Sequence, residues 1–231
     1  MSFTLSEVVP WGRAFEEYVS MFSLSPADLN RHILGCSDGP AEFNSRLSAQ
    51  GGKIVSVDPI YEFTAGEIEK RINETYELVL AQTRKNKDQF VWDTISSVDE
   101  LGQIRMSAMR SFLQDFEKGK AVGRYRMGSL PRLSFDDKEF DLALCSHFLF
   151  LYSEQFSQEF HLSSMKELCR VAREVRIFPI LELDSTPSRH FKSLITALNR
   201  NHYAPEVKKV SYEFQKGGNE MLIVRSVGNS H

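Results

Sequence analysis

The sequence predicts an α/β fold: a seven-stranded, mostly parallel sheet closed by an antiparallel hairpin, with a helical cap before the first strand and a helical insertion between the second and third. Three observations carry this. A short apolar strand, Arg31–Leu34, runs into the turn Gly35-Cys36-Ser37-Asp38-Gly39, and a second strand, Ile54–Val57, ends on Asp58, 19 residues beyond Gly39. Five strand-like segments are separated by helical or loop-helix stretches, which implies right-handed parallel crossovers. The last two strand-like segments are joined by Gln215-Lys216-Gly217-Gly218-Asn219, a glycine-rich connection suited to an antiparallel hairpin. A plain dinucleotide-binding sheet would finish on a sixth parallel strand instead.

The elements follow in order. Phe15, Tyr18, Val19 and Phe22 form one apolar stripe at helical spacing, and a second short helix opens at Ser25-Pro26, a capping Ser with Pro at the first helical position. These two helices form a cap over residues 1–30, in which Trp11, Arg13 and Tyr18 are read as packing residues. About 60 residues separate the second and third strands, far beyond a normal crossover. Within 64–121, Ile68, Ile72, Tyr76, Val79 and Leu80 mark one helix. A second is capped by Ser97-Val98-Asp99-Glu100 and carries Met109, Phe112, Leu113 and Phe116 on one face,. An insertion leaving the ligand-binding edge of a sheet is placed to act as a lid or substrate wall; a packing or dimerisation embellishment is the equal alternative.

The remaining strands are placed at Val122–Met127, Phe140–Cys145, Val175–Phe178, Val207–Phe214 and Glu220–Arg225. Strand five must stop at Phe178, because Pro179 would remove a ladder hydrogen bond from an interior strand. The helix before it places Met165, Leu168, Cys169 and Ala172 on one face, with Ser164-Met165-Lys166-Glu167 as a capping box at its start or one turn inside it,. The helix after it opens at Thr186-Pro187 and buries Phe191, Leu194, Ile195 and Leu198,.

Composition narrows the function. The 231 residues, with 42% hydrophobic and 26% charged, suit a single globular domain over 1–231,. A net charge of −3 shows no basic nucleic-acid footprint, and Arg124, Arg126 and Arg132 are read as scattered solvated charges. Cys36, Cys145 and Cys169 are too few and too far apart for a metal cluster or disulfide framework, and His161, His190 and His202 are too dispersed for a metal site,. Met1–Glu7 lacks the pattern of a signal peptide and no apolar run reaches the length of a membrane span, so a cytoplasmic protein without membrane contact is expected.

A glycine turn after the first strand and an acid ending the second is how an open parallel sheet takes an adenosine-containing ligand: glycine lets the backbone approach, and the acid accepts hydrogen bonds from ribose hydroxyls. The stretch Gly128-Ser129-Leu130-Pro131-Arg132-Leu133-Ser134-Phe135-Asp136-Asp137-Lys138-Glu139-Phe140-Asp141-Leu142-Ala143-Leu144-Cys145-Ser146-His147 resembles the class I S-adenosylmethionine-dependent methyltransferases, whose "G-D-x-x-x-L-P-F" loop precedes an "F-D-x-V" strand opening onto the cofactor. Gly35-Cys36-Ser37-Asp38-Gly39 matches that family's glycine motif and Asp58 its ribose-binding acid, while Glu167-Leu168-Cys169-Arg170-Val171-Ala172-Arg173-Glu174-Val175 resembles its helix leading into strand five. The resemblance covers most of 31–225 and leaves the insertion outside the common core. Val9-Pro10-Trp11-Gly12-Arg13 and Phe214-Gln215-Lys216-Gly217-Gly218-Asn219 are similar to features of a bacterial subgroup, which brings no substrate with it.

The resemblance implies a Rossmann-like sheet, S-adenosylmethionine as cofactor with S-adenosylhomocysteine as product, and a small-molecule methyl acceptor for a monomer or homodimer. It implies a cofactor site of Gly35, Cys36, Ser37, Asp38, Gly39, Asp58, Pro59, Ser129, Leu130, Cys145 and Ser146. His147, emerging after strand four, is the candidate general base; Tyr152, Arg105 and Arg110 are substrate-side candidates. The departures are Ile33, where the family carries an acid near the methionine amino group, Ser37 for the middle glycine, and Ser129 for the adenine-binding acid. Asp38 is placed to compensate from within the turn. Two other readings share the first turn: a methyltransferase fold that binds or scaffolds without catalysis, and an NAD-dependent dehydrogenase, the latter opposed by the terminal hairpin.

Overall fold

The computed structural model describes residues 9–226; the reading of Met1–Glu7 lies outside them. Along the chain run α1 (Phe15–Met21), α2 (Pro26–Leu29), β1 (His32–Cys36), α3 (Phe43–Ala49), β2 (Lys53–Val57), α4 (Ala65–Lys85), α5 (Val98–Ala121), β3 (Tyr125–Arg126), β4 (Phe140–Ser146), α6 (Gln158–Val171), β5 (Ala172–Phe178), α7 (Phe191–Arg200), β6 (Tyr203–Lys209) and β7 (Glu220–Ser226). They form one sheet of order β3-β2-β1-β4-β5-β7-β6. β1 to β5 are parallel, and β7 is antiparallel to both β5 and β6. The expected fold, including its terminal hairpin, is present.

Strand residues alternate between two cores. Leu34, Val55, Ala143 and Val175 face α6 and α7, whose Met165, Leu168, Leu194 and Leu198 complete that layer. Ile33, Ile54, Leu142 and Ile223 face the other way, onto Tyr18, Phe22, Phe43 and Leu47 of α1 and α3. Burying each aliphatic or aromatic side chain stabilises by roughly 1.5–3 kcal/mol; α2, which buries no residue, is tied to the sheet instead by Asp28, which pairs with Arg176 of β5 at 3.0 Å. The insertion adds a third core, in which Ile68 and Ile72 of α4 meet Met109, Phe112 and Phe116 of α5 beside Tyr61 and Tyr125.

Caps explain the helix starts. Ser25 accepts from the Asp28 amide at α2 and Ser97 from the Glu100 amide at α5, as expected, although the Glu100 carboxylate turns back to the Ser96 amide rather than to Ser97. Two starts differ from expectation. α6 is capped by Ser157, so Ser164 lies buried well inside the helix; Glu167 pairs with Arg170 at 2.8 Å and accepts from the Leu133 amide instead of capping. Ala172 begins β5 rather than extending the helix face. At α7, Asp184 accepts from the Thr186 amide and hydroxyl, holding Thr186-Pro187 in a turn, and the helix opens later at Phe191.

Strand ends differ as well. β1 extends two residues to include Gly35 and Cys36. β3 shrinks to two residues, because the Val122 amide closes the last turn of α5 and Gly123 sits at φ +77. β6 lies earlier than Val207–Phe214. Pro205 is tolerated there because β6 is an edge strand with a partner on one side,. The stretch 210–219 is therefore a broad loop, not a tight connection. It crosses to the exit of α4, where Val91 N–H donates to Phe214 O at 2.7 Å and Lys216 N–H to Gln89 O at 2.9 Å.

Candidate functional site

The turn after β1 is strapped to the end of β2. The Ser37 N–H donates to Val57 O at 2.8 Å, and Gly39 N–H to Asp58 Oδ2 at 2.9 Å. Asp58 Oδ1 accepts from Ile60 N–H at 2.9 Å, and Tyr61 Oη donates to Gly39 O at 2.7 Å. Ser37 and Gly39 both have positive φ, 57° and 55°, a conformation glycine adopts at little cost and serine at roughly 1–2 kcal/mol. Gly35 is needed for a different reason: a Cβ there would come within 1.7 Å of Asp38 Oδ2. Asp38 is folded into the floor of the turn, accepting from Tyr18 Oη at 2.9 Å and Ser56 Oγ at 2.7 Å.

Burial dominates the ionisation of both acids. It pushes Asp38 up to about 6, against the bonds from Ser56 and Tyr18, and Asp58 up to about 6, against the Ile60 and Gly39 amides,. Each Asp58 oxygen carries one backbone bond and keeps a second lone pair,.

The end of β4 supplies a second cluster. Ser146 Oγ lies 2.8 Å from His147 Nδ1, His147 N–H donates to Phe178 O at 2.7 Å, and the imidazole packs edge-on against Phe178 at 5.4 Å. Burial first, then the charges of Arg13 and Arg105, hold His147 well below the usual histidine range, so it is neutral near pH 7. Cys36 and Cys145 face one another in the β1–β4 register. Burial drives the Cys36 thiol up and the Cys145 thiol to about 12, leaving both as apolar filler,.

A cavity of about 840 Å³ opens over these strand ends. Ser37, Asp38, Gly39, Asp58, Pro59, Ser129, Leu130, Ser146 and His147 are on its wall, whereas Gly35, Cys36 and Cys145 stand behind it within their strands. Tyr152 and Arg105 reach the wall and Arg110 stays on the exposed face of α5. Helices α4 and α5 contribute Ile68, Arg71, Val79 and Leu101, and the 210–219 loop contributes Phe214 and Gln215.

One convergence escaped the sequence reading. Glu17 of α1 accepts from Arg105 Nη1, from Ala14 N–H at 2.9 Å and from Tyr212 Oη at 2.7 Å. Arg13, treated as a packing residue, reaches the cavity beside them, its Nη1 donating to Trp11 O at 3.1 Å. A local hint existed: Arg13 and Glu17 are four apart at a helix start. Elsewhere, His161 and His190 stand with rings 4.6 Å apart, but they are engaged with Ser153, Ser157 and Phe156 in a buried network. Among the described residues, no group of three His, Cys, Asp or Glu side chains is placed to hold a metal ion, and no helix is long and apolar enough to cross a membrane. Arg124 pairs with Asp115 at 2.7 Å, whereas Arg126 is exposed, its Nε donating to Gly123 O at 3.0 Å.

No family model matches the chain. It is 34% identical over 222 residues to the uncharacterized protein MJ0045 of Methanocaldococcus jannaschii, an alignment spanning 96% of this chain and 97% of that one. That relative is archaeal and lends no support to the bacterial subgroup suggested by the motifs. Among solved structures, the chain is similar to a TehB-like SAM-dependent methyltransferase from Corynebacterium glutamicum, with a TM-score of 0.48, 14% identity, and coverage of 92% of this chain and 87% of that one. It is also similar to magnesium protoporphyrin IX methyltransferase from Synechocystis PCC 6803 with bound SAM, with a TM-score of 0.45, 13% identity, and coverage of 87% and 72%. Scores below 0.5 at such identities do not bear on what this chain binds.

Proposed function

The chain belongs to the family of the Methanocaldococcus jannaschii protein MJ0045, and from that premise we propose that it is an S-adenosylmethionine-dependent methyltransferase acting on a small molecule. The observation that carries the reading is Asp58: a buried carboxylate at the end of β2, bonded to the amide of Gly39 in the turn after β1 and on the wall of the cavity. Its remaining lone pairs suit the hydroxyls of a ribose, and a carboxylate lifted to about 6 by burial gains from each new donor,. The motif resemblance at Gly128–His147 and the β5-β7-β6 hairpin point the same way.

When bound, S-adenosylmethionine supplies a methyl group activated on a sulfonium. The chain's part is to bind and orient. Gly39 and Asp58 would hold the cofactor's nucleoside end with Leu130 and Ser129 beside it, and Ser146 and His147 stand at the end of β4. Alignment and exclusion of water provide most of the acceleration in such a displacement. His147 is the candidate base for a hydroxyl acceptor, Ser146 Oγ engaging its Nδ1 side, and its burial and the Arg13 and Arg105 charges weaken it as a base,. α4 and α5 form the lid over the cavity.

A second reading, a binding module without catalysis, is favoured by Ile33, which is fully buried in the α1–α3 core where the family carries an acid, and by the engagement of both Asp38 oxygens within the turn. Calorimetric titration of ligand-stripped protein with S-adenosylmethionine and S-adenosylhomocysteine separates these readings. Micromolar binding that collapses in Asp58→Ala supports the methyltransferase; a folded protein that binds neither ligand rejects it.

A further inference from the structure

Two guanidinium groups, that of buried Arg105 and that of half-buried Arg13, meet at this cavity with one carboxylate between them among the described residues. Arg105 is 1% exposed and its Nε has no hydrogen-bond partner, and the Nε of Arg13 is likewise buried and unpartnered. Glu17 is the acid between them, and its oxygens already take Arg105 Nη1, the Ala14 amide and the Tyr212 hydroxyl. The other faces of the cluster hold Tyr212, Tyr18, Tyr152 and the neutral His147, which bring no further negative charge at neutral pH. Among the described residues the cluster therefore carries one positive charge more than its carboxylate offsets, which is costly in a buried setting unless an anion arrives,. Consistent with that, burial and the proximity of Arg105 lower the ionisation of Arg13.

The cluster starts beside the turn after β1, where Glu42 N–H donates to Arg13 O at 3.0 Å, and runs from there toward the end of β5. The Tyr212 ring packs edge-on against Phe178 at the end of β5, at 5.7 Å, and His147 packs on the same ring. Gly39 and Asp58 lie at the ends of β1 and β2, and the two acids there are hydrogen-bonded by Tyr18, Ser56 and backbone amides, not by arginine. The same cavity wall carries the aromatic side chains of Trp11, Phe148, Phe156 and Phe160. A cavity near the upper end of the ~300–1,000 Å³ range of small-molecule sites has room for a second ligand beside a nucleoside.

We propose that Arg13 and Arg105 form the subsite for the carboxylate of an aromatic carboxylic acid, the methyl acceptor of this site; the acceptor role rests on the methyltransferase reading above. A planar guanidinium fork matches a carboxylate, and a single uncompensated charge calls for a monoanion rather than a doubly charged phosphate. The aromatic wall takes the body of the molecule.

The test is calorimetry on the full chain saturated with S-adenosylhomocysteine, titrated with benzoate, phenylacetate and indole-3-acetate, and with their uncharged amides. The expected result is binding of at least one acid, at least tenfold weaker binding of its amide, and at least tenfold loss in Arg13→Met, while the affinity for S-adenosylhomocysteine stays within threefold. Because Arg105→Met alone would strand Glu17, the companion variant is Glu17→Gln with Arg105→Met, from which the same loss is expected. Absence of acid binding, or equal binding of acid and amide, overturns the proposal while the cofactor titration stands by itself. If Arg13→Met weakens S-adenosylhomocysteine tenfold but spares 5′-methylthioadenosine, which has no carboxylate, the subsite belongs to the cofactor and the proposal is overturned. If the wild type binds an acid through Arg13 but neither adenosyl compound, the acceptor role and the methyltransferase reading both fall.

Discussion

The cavity has a carboxylate end and a guanidinium end, and the two handle their charge in opposite ways. At the β1–β2 end, Asp38 and Asp58 are surrounded by donors from the protein itself, the Tyr18 and Ser56 hydroxyls and the Gly39 and Ile60 amides, and both are lifted toward neutrality. At the guanidinium end, Arg13 and Arg105 share one carboxylate and, among the described residues, leave two Nε atoms without partners. The difference teaches that the first end is a self-contained framework able to form without ligand, whereas the second is incomplete by one anion.

That contrast can be broken most sharply at Arg105. Removing one partner of a buried pair leaves the other charge stranded, so Arg105→Met is expected to lower unfolding free energy by about 3–5 kcal/mol in urea titration, and adding Glu17→Gln to restore most of it. An equally unstable double variant would mean the arginine matters by packing alone. At the acid end, Asp58→Ala removes the acceptor for two backbone amides. With charge-assisted hydrogen bonds at roughly 1.5–3 kcal/mol each, S-adenosylhomocysteine affinity is expected to fall roughly 10–100-fold by calorimetry; an unchanged affinity would detach Asp58 from the site.

pH sharpens the comparison further. The folded-state values of Asp38 and Asp58, about 6, lie above the ordinary 3.8, so the folded chain binds more protons than the unfolded chain between about pH 4 and 6. Their contribution to stability is therefore greatest below about pH 4 and declines as pH rises through about 6. Ligand hydroxyls prefer the ionised carboxylate, so the affinity for S-adenosylhomocysteine should rise up to roughly tenfold from pH 5 to 7, and Asp58→Asn should flatten the profile. The smallest effect is at the turn: Ser37→Gly, relieving a φ of +57°, should shift stability by less than about 1 kcal/mol, since the gain in the fold is partly offset by a freer unfolded chain. A loss above that size would give the Ser37 hydroxyl a role of its own.

Much of the acid end was legible because its signals are local. Gly35, Asp38 and Gly39 lie in one turn, Asp58 follows at a spacing set by a single helix, and Ser25 and Ser97 cap helices a few residues away. The guanidinium end was not. Arg105 was named as a substrate-side residue of the lid, but its meeting with Glu17 and Tyr212 spans 88 and 195 residues, and no periodicity encodes it. Misplaced boundaries share a cause: a pattern satisfied by a different contact. Glu167 reads as a capping acid and is instead the partner of Arg170. Val207 to Phe214 reads as a strand, yet Tyr212 turns to Glu17 and the Phe214 carbonyl accepts from Val91.

The sheet order also has a consequence for how the molecule is made. β7, last in the chain, lies between β5 and β6, so β6 has nowhere to dock until residues 220–226 have been synthesised. Until then the hydrogen-bonding side of β5 is an open edge flanked by Val175 and Ile177, the kind of edge on which chains pair with one another. The 210–219 loop, Tyr212 included, is anchored by the same two strands, so a nascent chain stopped at residue 200 carries five strands and its acid end but has no completed guanidinium end. Ribosome-bound intermediates of that length should be the species that most needs a chaperone.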